Sequence, residues 1–241
     1  MTSDAMSLDK TRVVVIGGTS GIGYAVAALS RKMGAEVVIA SSNAQNVDAA
    51  VAHLPGAMGK VIDLRDETSV SCFFDNIGAF DHLAFTAGDW GVPMFAGTRD
   101  LDLVAAREGF AVRFWGALAA AKHCMRSINP NGSITLTSGM LAHRPIKDAP
   151  LATAVVGAVE HLARGLAIDL APVRVNAVCP GIILTNHTKQ MPQDRLQAFV
   201  APLPLPRGAS PTEAALSYVY LMLNSYATGQ VLPMDGGGWL V

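Results

Sequence analysis

Four β-branched residues in succession, Val13 to Ile16, run directly into Gly17-Gly18-Thr19-Ser20-Gly21-Ile22-Gly23. An unbroken apolar run of this kind is the pattern of a strand buried on both faces. Behind the glycines, the apolar spacing from Ile22 to Met33 has helical period. A strand, a tight turn and a helix in that order build parallel sheets, because the next strand must return through a right-handed crossover. The glycines also say what the turn is for. Gly17 permits the turn, Gly21 lets main chain approach a diphosphate, and Gly23 lets the helix lie close on the strand, with the free N–H groups of the helix start facing the anion. Thr19, Ser20 and Ile22 complete that cradle, which is read as a dinucleotide site.

The rest of the chain repeats the theme. Gly34 closes the first helix, and strands are expected at Glu36 to Ala40, Gly56 to Ile62, His82 to Thr86, Ser133 to Thr137, Val173 to Val178 and Gln230 to Met234. Helical stretches alternate with them at Val70 to Ile77, Phe110 to Ile128, Leu151 to Leu170 and Pro211 to Asn224. This alternation predicts an α/β fold, a doubly wound parallel sheet of about seven strands with helices on both faces. No composition break divides residues 1–241, so a single domain is expected. The proline-rich connection at about 182–211 is long enough to be functional, and Ile182 to Val200 is expected to form an apolar wall of the substrate pocket.

Composition narrows the partners. With 51% hydrophobic and 15% charged residues, the chain has apolar surface to spare for subunit contacts. The small residues around Trp115 to Ala121, and Gly157, Ala158 and Gly165, suit close helix approach, so a homodimer or homotetramer is expected. A net charge of −1 gives no electrostatic case for nucleic acid or an anionic membrane. No apolar run is read as reaching the roughly 20 residues of a spanning helix, and Met1 to Lys10 resembles neither a signal nor a transit peptide. Three scattered cysteines suggest neither a disulfide framework nor a metal site. A cytoplasmic protein acting on a small molecule is the expectation.

The spacing Gly17-x-x-x-Gly21-Ile22-Gly23 resembles that of the short-chain dehydrogenase/reductase family. Asp63-Leu64, Thr86-Ala87-Gly88, Arg174 to Gly181 and Gly229 to Gly237 are similar to that family's landmarks, in its order, over nearly the whole chain. The resemblance implies a Rossmann-type sheet and a nicotinamide cofactor. It places Asp63 at the adenine edge, Leu64 against the adenine, and Ala87 and Gly88 beside the ribose. Pro180 and Gly181 form a turn from which Ile183 faces the carboxamide and Thr185 the carboxamide or the diphosphate. At the end of strand two, where an acid selects the free 2′-hydroxyl, the chain reads Ser41-Ser42-Asn43. NADP(H) is therefore favoured over NAD(H), although no Arg or Lys stands there either.

The resemblance fails at the chemistry. Family members move a proton with a Tyr-x-x-x-Lys pair, and the aligned positions here are Ala152 and Val156. The family's serine falls on Gly139, next to Ser138, and its helix asparagine on Arg113. Phe85 and Thr86 stand where two asparagines are usual. Arg113, a permanent charge, and Ser138, a hydroxyl, are the expected catalytic residues, because a cofactor that brings the hydride needs mainly orientation and charge stabilisation from the protein. Water, or His143, Lys147 or Asp148, is left to supply a proton, and Asp89-Trp90 to line the mouth. The function expected is an NAD(P)(H)-dependent oxidoreductase acting on a small apolar carbonyl, alcohol or imine with a non-standard site. A catalytically silent dinucleotide-binding protein, sensor or structural subunit, is the alternative, and a lyase or isomerase on the same scaffold a third reading.

Overall fold

The computed structural model describes residues 7–89 and 94–241. Seven parallel strands form one sheet: β1 (Arg12–Ile16), β2 (Glu36–Ser41), β3 (Met58–Val61), β4 (Phe80–Phe85), β5 (Ile128–Thr137), β6 (Arg174–Pro180) and β7 (Val231–Met234). Their order is β3-β2-β1-β4-β5-β6-β7. The chain winds outward from β1 to β3, crosses back to β4 and winds the other way. The direction therefore reverses between β1 and β4, and in such sheets the crevice beyond the strand ends at that point is where ligands bind.

Burial on both faces explains the composition of the central strands. Val14, Ile16, Leu83, Phe85, Ile134 and Leu136 face a core closed by α3 (Glu67–Asn76), α5 (Ala117–Cys124) and α6 (Pro150–Asp169), with Phe74 wholly buried at its centre. Val13, Val15, Val37 and Ile39 face the opposite core under α1 (Gly21–Lys32) and α9 (Pro211–Leu223). The edge strand β3 is largely exposed, so its residues need not be apolar.

Three elements differ from the sequence expectation. A helix not foreseen, α2 (Ala44–His53), follows β2. Asn43 starts it by accepting from the Asn46 amide at 2.9 Å, yet only Val47 and Ala50 are buried, too thin a stripe to read as a period. The expected helix Phe110 to Ile128 is instead a π-helical turn over Ala111–Gly116 followed by α5, with α4 (Leu103–Arg107) and a 3-10 turn over Glu108–Phe110 leading into it. Ile128 already pairs with Phe80 in the sheet, ahead of a register shift that leads into the ladder at Ser133. The long connection carries α7 (Asn186–Lys189) and α8 (Gln193–Val200), whose residues are mostly exposed. The apolar residues of the expected wall thus narrow to Ile183, 5% exposed and bridged to Ala209, Leu184 against Gly208, and the buried Val200.

One helix among the described residues, α6, is long and apolar enough to cross a membrane by length and composition, contrary to the sequence expectation. Val159, Ala163, Leu166 and Ala167 pack into the core against the sheet, and it carries a buried acid, Glu160. Those features are what a core helix of an α/β sheet requires.

Candidate functional site

The glycines of the first turn stand where three backbones converge. Gly17 has φ +84°, and a Cβ on it would lie 2.6 Å from the Ala87 amide nitrogen. One on Gly23 would collide with the Gly17 carbonyl and the Thr86 hydroxyl. Thr86 donates that hydroxyl to the Ile16 carbonyl at 3.0 Å, tying the end of β4 to the end of β1. Gly21, φ +53°, faces Thr185, whose methyl lies 3.1 Å from where a Cβ would stand. Ser20 is the N-cap of α1 but makes no side-chain capping hydrogen bond. The helix start is left to an outside acceptor. A diphosphate fits that donor set.

The other residues expected at the cofactor lie at the ends of strands and the starts of the following helices. Ser41 ends β2, Ser42 is exposed, and α2 starts at once. Asp63 is exposed and accepts from the Arg65 amide at 2.9 Å, while Leu64 packs where a Cβ on Gly116 would meet it at 2.9 Å. Pro180 closes β6, and the Gly181 amide donates to the Met234 carbonyl at 2.9 Å, so close to Asp235 that a Cβ would lie 2.8 Å from its Cα. Thr185 caps α7 by accepting from the Thr188 amide.

Arg113 sits in the π-helical turn and is 7% exposed. An extra residue in a helical turn redirects side chains, and such turns recur at functional sites. Here the guanidinium lies flat against Gly88, where any Cβ would collide with it. Burial draws its pKa down to about 10, with Tyr218 and Asp89 opposing the shift. It therefore remains a cation at neutral pH and a reluctant proton donor. Asp89 is itself in an ion pair with Arg65, which also reaches Glu108 at 2.9 Å.

Where the family's relay would stand, the surroundings are apolar. Ala152 is fully buried and Val156 is 1% exposed. Gly139 lies beside Val156, a Cβ on it coming 3.5 Å from the valine methyl, so the positions matched to the family's serine and lysine meet in space. Ala152 packs with Met94, Ala149 and Val155, bordered by Phe110, Leu141 and Ile146. Ser138 is 3% exposed and donates to Glu160 Oε1 at 2.8 Å. The hydroxyl proton is thus directed at a carboxylate in the wall of the site. His143 Nε2 lies 2.9 Å from the same oxygen, and its ring stacks on Trp239 at 3.8 Å between centroids. Cys179 completes the cluster, with His143, Glu160 and Cys179 ligand atoms within 4.8 Å of one another, and burial pushes its thiol up to about 12. Lys147 and Asp148 are exposed, and Trp90 lies outside the described residues.

Glu160 escaped the sequence reading, although a lone acid in the apolar body of a helix is a usable signal. Removing it strands two donors. Glu160→Ala is expected to cost about 2–4 kcal/mol, since each buried donor left unmet costs roughly 1–3, and to lower the melting temperature by about 5–10 °C at this size. Glu160→Gln, which keeps an acceptor, should recover at least half of the loss. An alanine variant melting with the parent would show the network to be dispensable.

The chain has relatives along nearly its whole length. Residues 17–238 match the sequence family described as enoyl-(acyl carrier protein) reductase. The short-chain dehydrogenase/reductase ucsE of Acremonium sp. is 34% identical over 98% of each chain. Among solved structures, the MalC reductase/Diels-Alderase of Malbranchea aurantiaca superposes with a TM-score of 0.90 at 32% identity, covering 98% of this chain and 99% of that one. A small-chain dehydrogenase in complex with NADPH is 36% identical, with a TM-score of 0.81 over 97% of this chain and 100% of that one. A reversed parallel sheet, a glycine turn converging on the exits of β4 and β6, and likeness along the full length make this chain a member of the short-chain dehydrogenase/reductase family, of oxidoreductase type.

Proposed function

We propose that the protein is an NADP(H)-dependent oxidoreductase that moves a hydride to or from a small, largely apolar carbonyl, alcohol or imine through a non-standard site. The observation that carries the reading is the intact diphosphate cradle, with an N-cap serine that caps nothing and a threonine facing Gly21 across the gap. Bound nicotinamide supplies the hydride. Gly17, Thr19, Ser20, Gly21, Ile22 and Gly23 hold the diphosphate, with Thr185 over it. Asp63 and Leu64 take the adenine, Ala87 and Gly88 the ribose, and Pro180, Gly181 and Ile183 the carboxamide side. Arg113 closes the floor beside Gly88 and orients the acceptor without giving up a proton. Ser138 is a positioning residue, fixed by Glu160.

Preference for NADP(H) is supported by the lack of an acid at Ser41 and Ser42, by the NADPH bound to the relative at 36% identity, and by Lys60, exposed on β3 in register with Ala40. Fluorescence titration is expected to give NADPH a roughly fivefold tighter dissociation constant than NADH, about what one exposed charge pair supplies. Tighter NADH would reverse the preference, and binding of neither would remove the oxidoreductase reading. The apolar packing of Ala152 and Val156 favours a second reading, a nucleotide-binding protein without turnover. Tight NADPH binding with no oxidation by any carbonyl or imine in a panel would select it. We place the protein in the cytoplasm as a homodimer or homotetramer. In support, a Cβ on Gly157 or Gly165 of α6 would meet nothing within 4 Å, and Leu103, Val104, Trp115 and Ile168 are exposed.

A further inference from the structure

Reducing a ketone consumes one hydride and one proton, and the proton must come from a group near the new alkoxide. Among the described residues, the side chains at the family's relay positions around the first turns of α6 are engaged or missing, and His143 is held by the Glu160 carboxylate. Ala152 and Val156 offer no proton, Gly139 offers no hydroxyl, and Ser138 donates to Glu160. Arg113 holds its protons to about pH 10. An acceptor that is already positive needs none. When hydride adds to the carbon of a C=N⁺ bond, the π pair settles on nitrogen as a lone pair. The product is a neutral amine, the nicotinamide is left oxidised, and no proton moves.

A second feature of the same turn suits a cation. A surface cavity of roughly 450 Å³ opens beside it, lined by Asp148, Thr153, Ile146, Pro145 and Gly97. The Asp148 carboxylate lies 2.9 Å from where a Cβ on Gly97 would stand, and the Asp100 carboxylate lies 3.7 Å from that point. Among the described residues neither acid enters an ion pair. The Thr153 hydroxyl, buried in the cavity wall, has no hydrogen-bond partner among those residues. Asp148 also holds φ +59°, a left-handed conformation uncommon outside glycine and more tolerable for aspartate than for most residues. Apolar walls with a carboxylate at the rim match a hydrophobic organic cation. The positive charge of Arg113 is opposed locally by Asp89.

We infer that the substrate is a cationic imine, an iminium whose carbon takes the hydride beside Ala152 and whose charge is steered by Asp148. This rests on the proposed nicotinamide site and adds the substrate class. The test pairs N-methyl-3,4-dihydroisoquinolinium, which carries its charge at every pH, with 2-tetralone, a neutral ketone of similar shape. Oxidation of NADPH by each is followed with the full-length protein and corrected for the reaction without enzyme. The iminium is expected to show a kcat/KM at least about 100-fold above the ketone, the lower end of what a missing general acid is worth. Asp148→Asn should raise KM for the iminium by about threefold to fivefold, as for an exposed charge contact, with a smaller change in kcat. Equal or faster ketone reduction, or an inert iminium with NADPH bound, overturns the inference and leaves the nucleotide site standing. Failure to bind NADPH in the same cuvette overturns both, and the titration alone tells the two failures apart.

Discussion

Arg113→Ala is expected to lower kcat/KM by about 100-fold, the loss associated with misplacing a bound reactant by about 1 Å, while the dissociation constant for NADPH stays within about threefold. The reasoning starts from position. The guanidinium is 7% exposed and fills the space that Gly88 leaves empty, so truncation opens a hole in the floor of the cleft rather than at the diphosphate. The contacts proposed for the diphosphate are main-chain amides at the α1 start, which the substitution would leave untouched. An acceptor resting on that floor loses its fixed seat. Arg113→Lys separates the two ways the residue can act: lysine restores a charge but not the flat fork. If shape matters most, lysine stays within about tenfold of alanine; if charge matters most, it approaches the parent. Steady-state kinetics with a melting curve for each variant decides. Unchanged turnover in Arg113→Ala would remove the residue from the mechanism.

Much of this was legible in the sequence because it depends on local rules. The strand-glycine-helix unit follows from β-branched burial and from glycines at positive φ, both properties of a few neighbouring residues. The parallel, helix-covered sheet follows from strand–helix alternation and crossover handedness, whereas its strand order is read only from the structure. What escaped depends on residues distant in the chain. The hydroxyl of Ser138 looked available until Glu160, 22 residues later, was seen to receive it. The π-helical turn that aims Arg113 at Gly88 leaves no mark in hydrophobic period, because one added residue merely blurs it. Helix α2 was hidden by the opposite problem, a buried stripe of two small side chains. The apolar replacements at Ala152 and Val156 were visible at once, but only the structure shows Ala152 packed with Met94 and Val155, and Val156 beside Gly139.

The largest effect on cofactor binding belongs to Gly21. Replacing it with valine is expected to weaken NADPH binding by about 100-fold, equivalent to roughly 3 kcal/mol, or about one to two charge-assisted hydrogen bonds at 1.5–3 kcal/mol each. A Cβ there points across the gap to Thr185, with only 3.1 Å to the nearest methyl, and the added methyls occupy the space that the diphosphate needs. The position also has φ +53°, where a β-branched side chain is strained by roughly 1–3 kcal/mol. That part of the cost falls on stability and must be separated from the loss of affinity. Gly21→Ala makes the separation, since it carries most of the backbone penalty but less bulk. Alanine is expected to melt close to valine yet bind NADPH several-fold more tightly. Gly17 is the wrong residue for this experiment. Its Cβ would meet the Ala87 main chain at 2.6 Å, so failure there would report on folding. If Gly21→Val remains folded and binds NADPH as the parent does, the diphosphate does not lie on the amino end of α1.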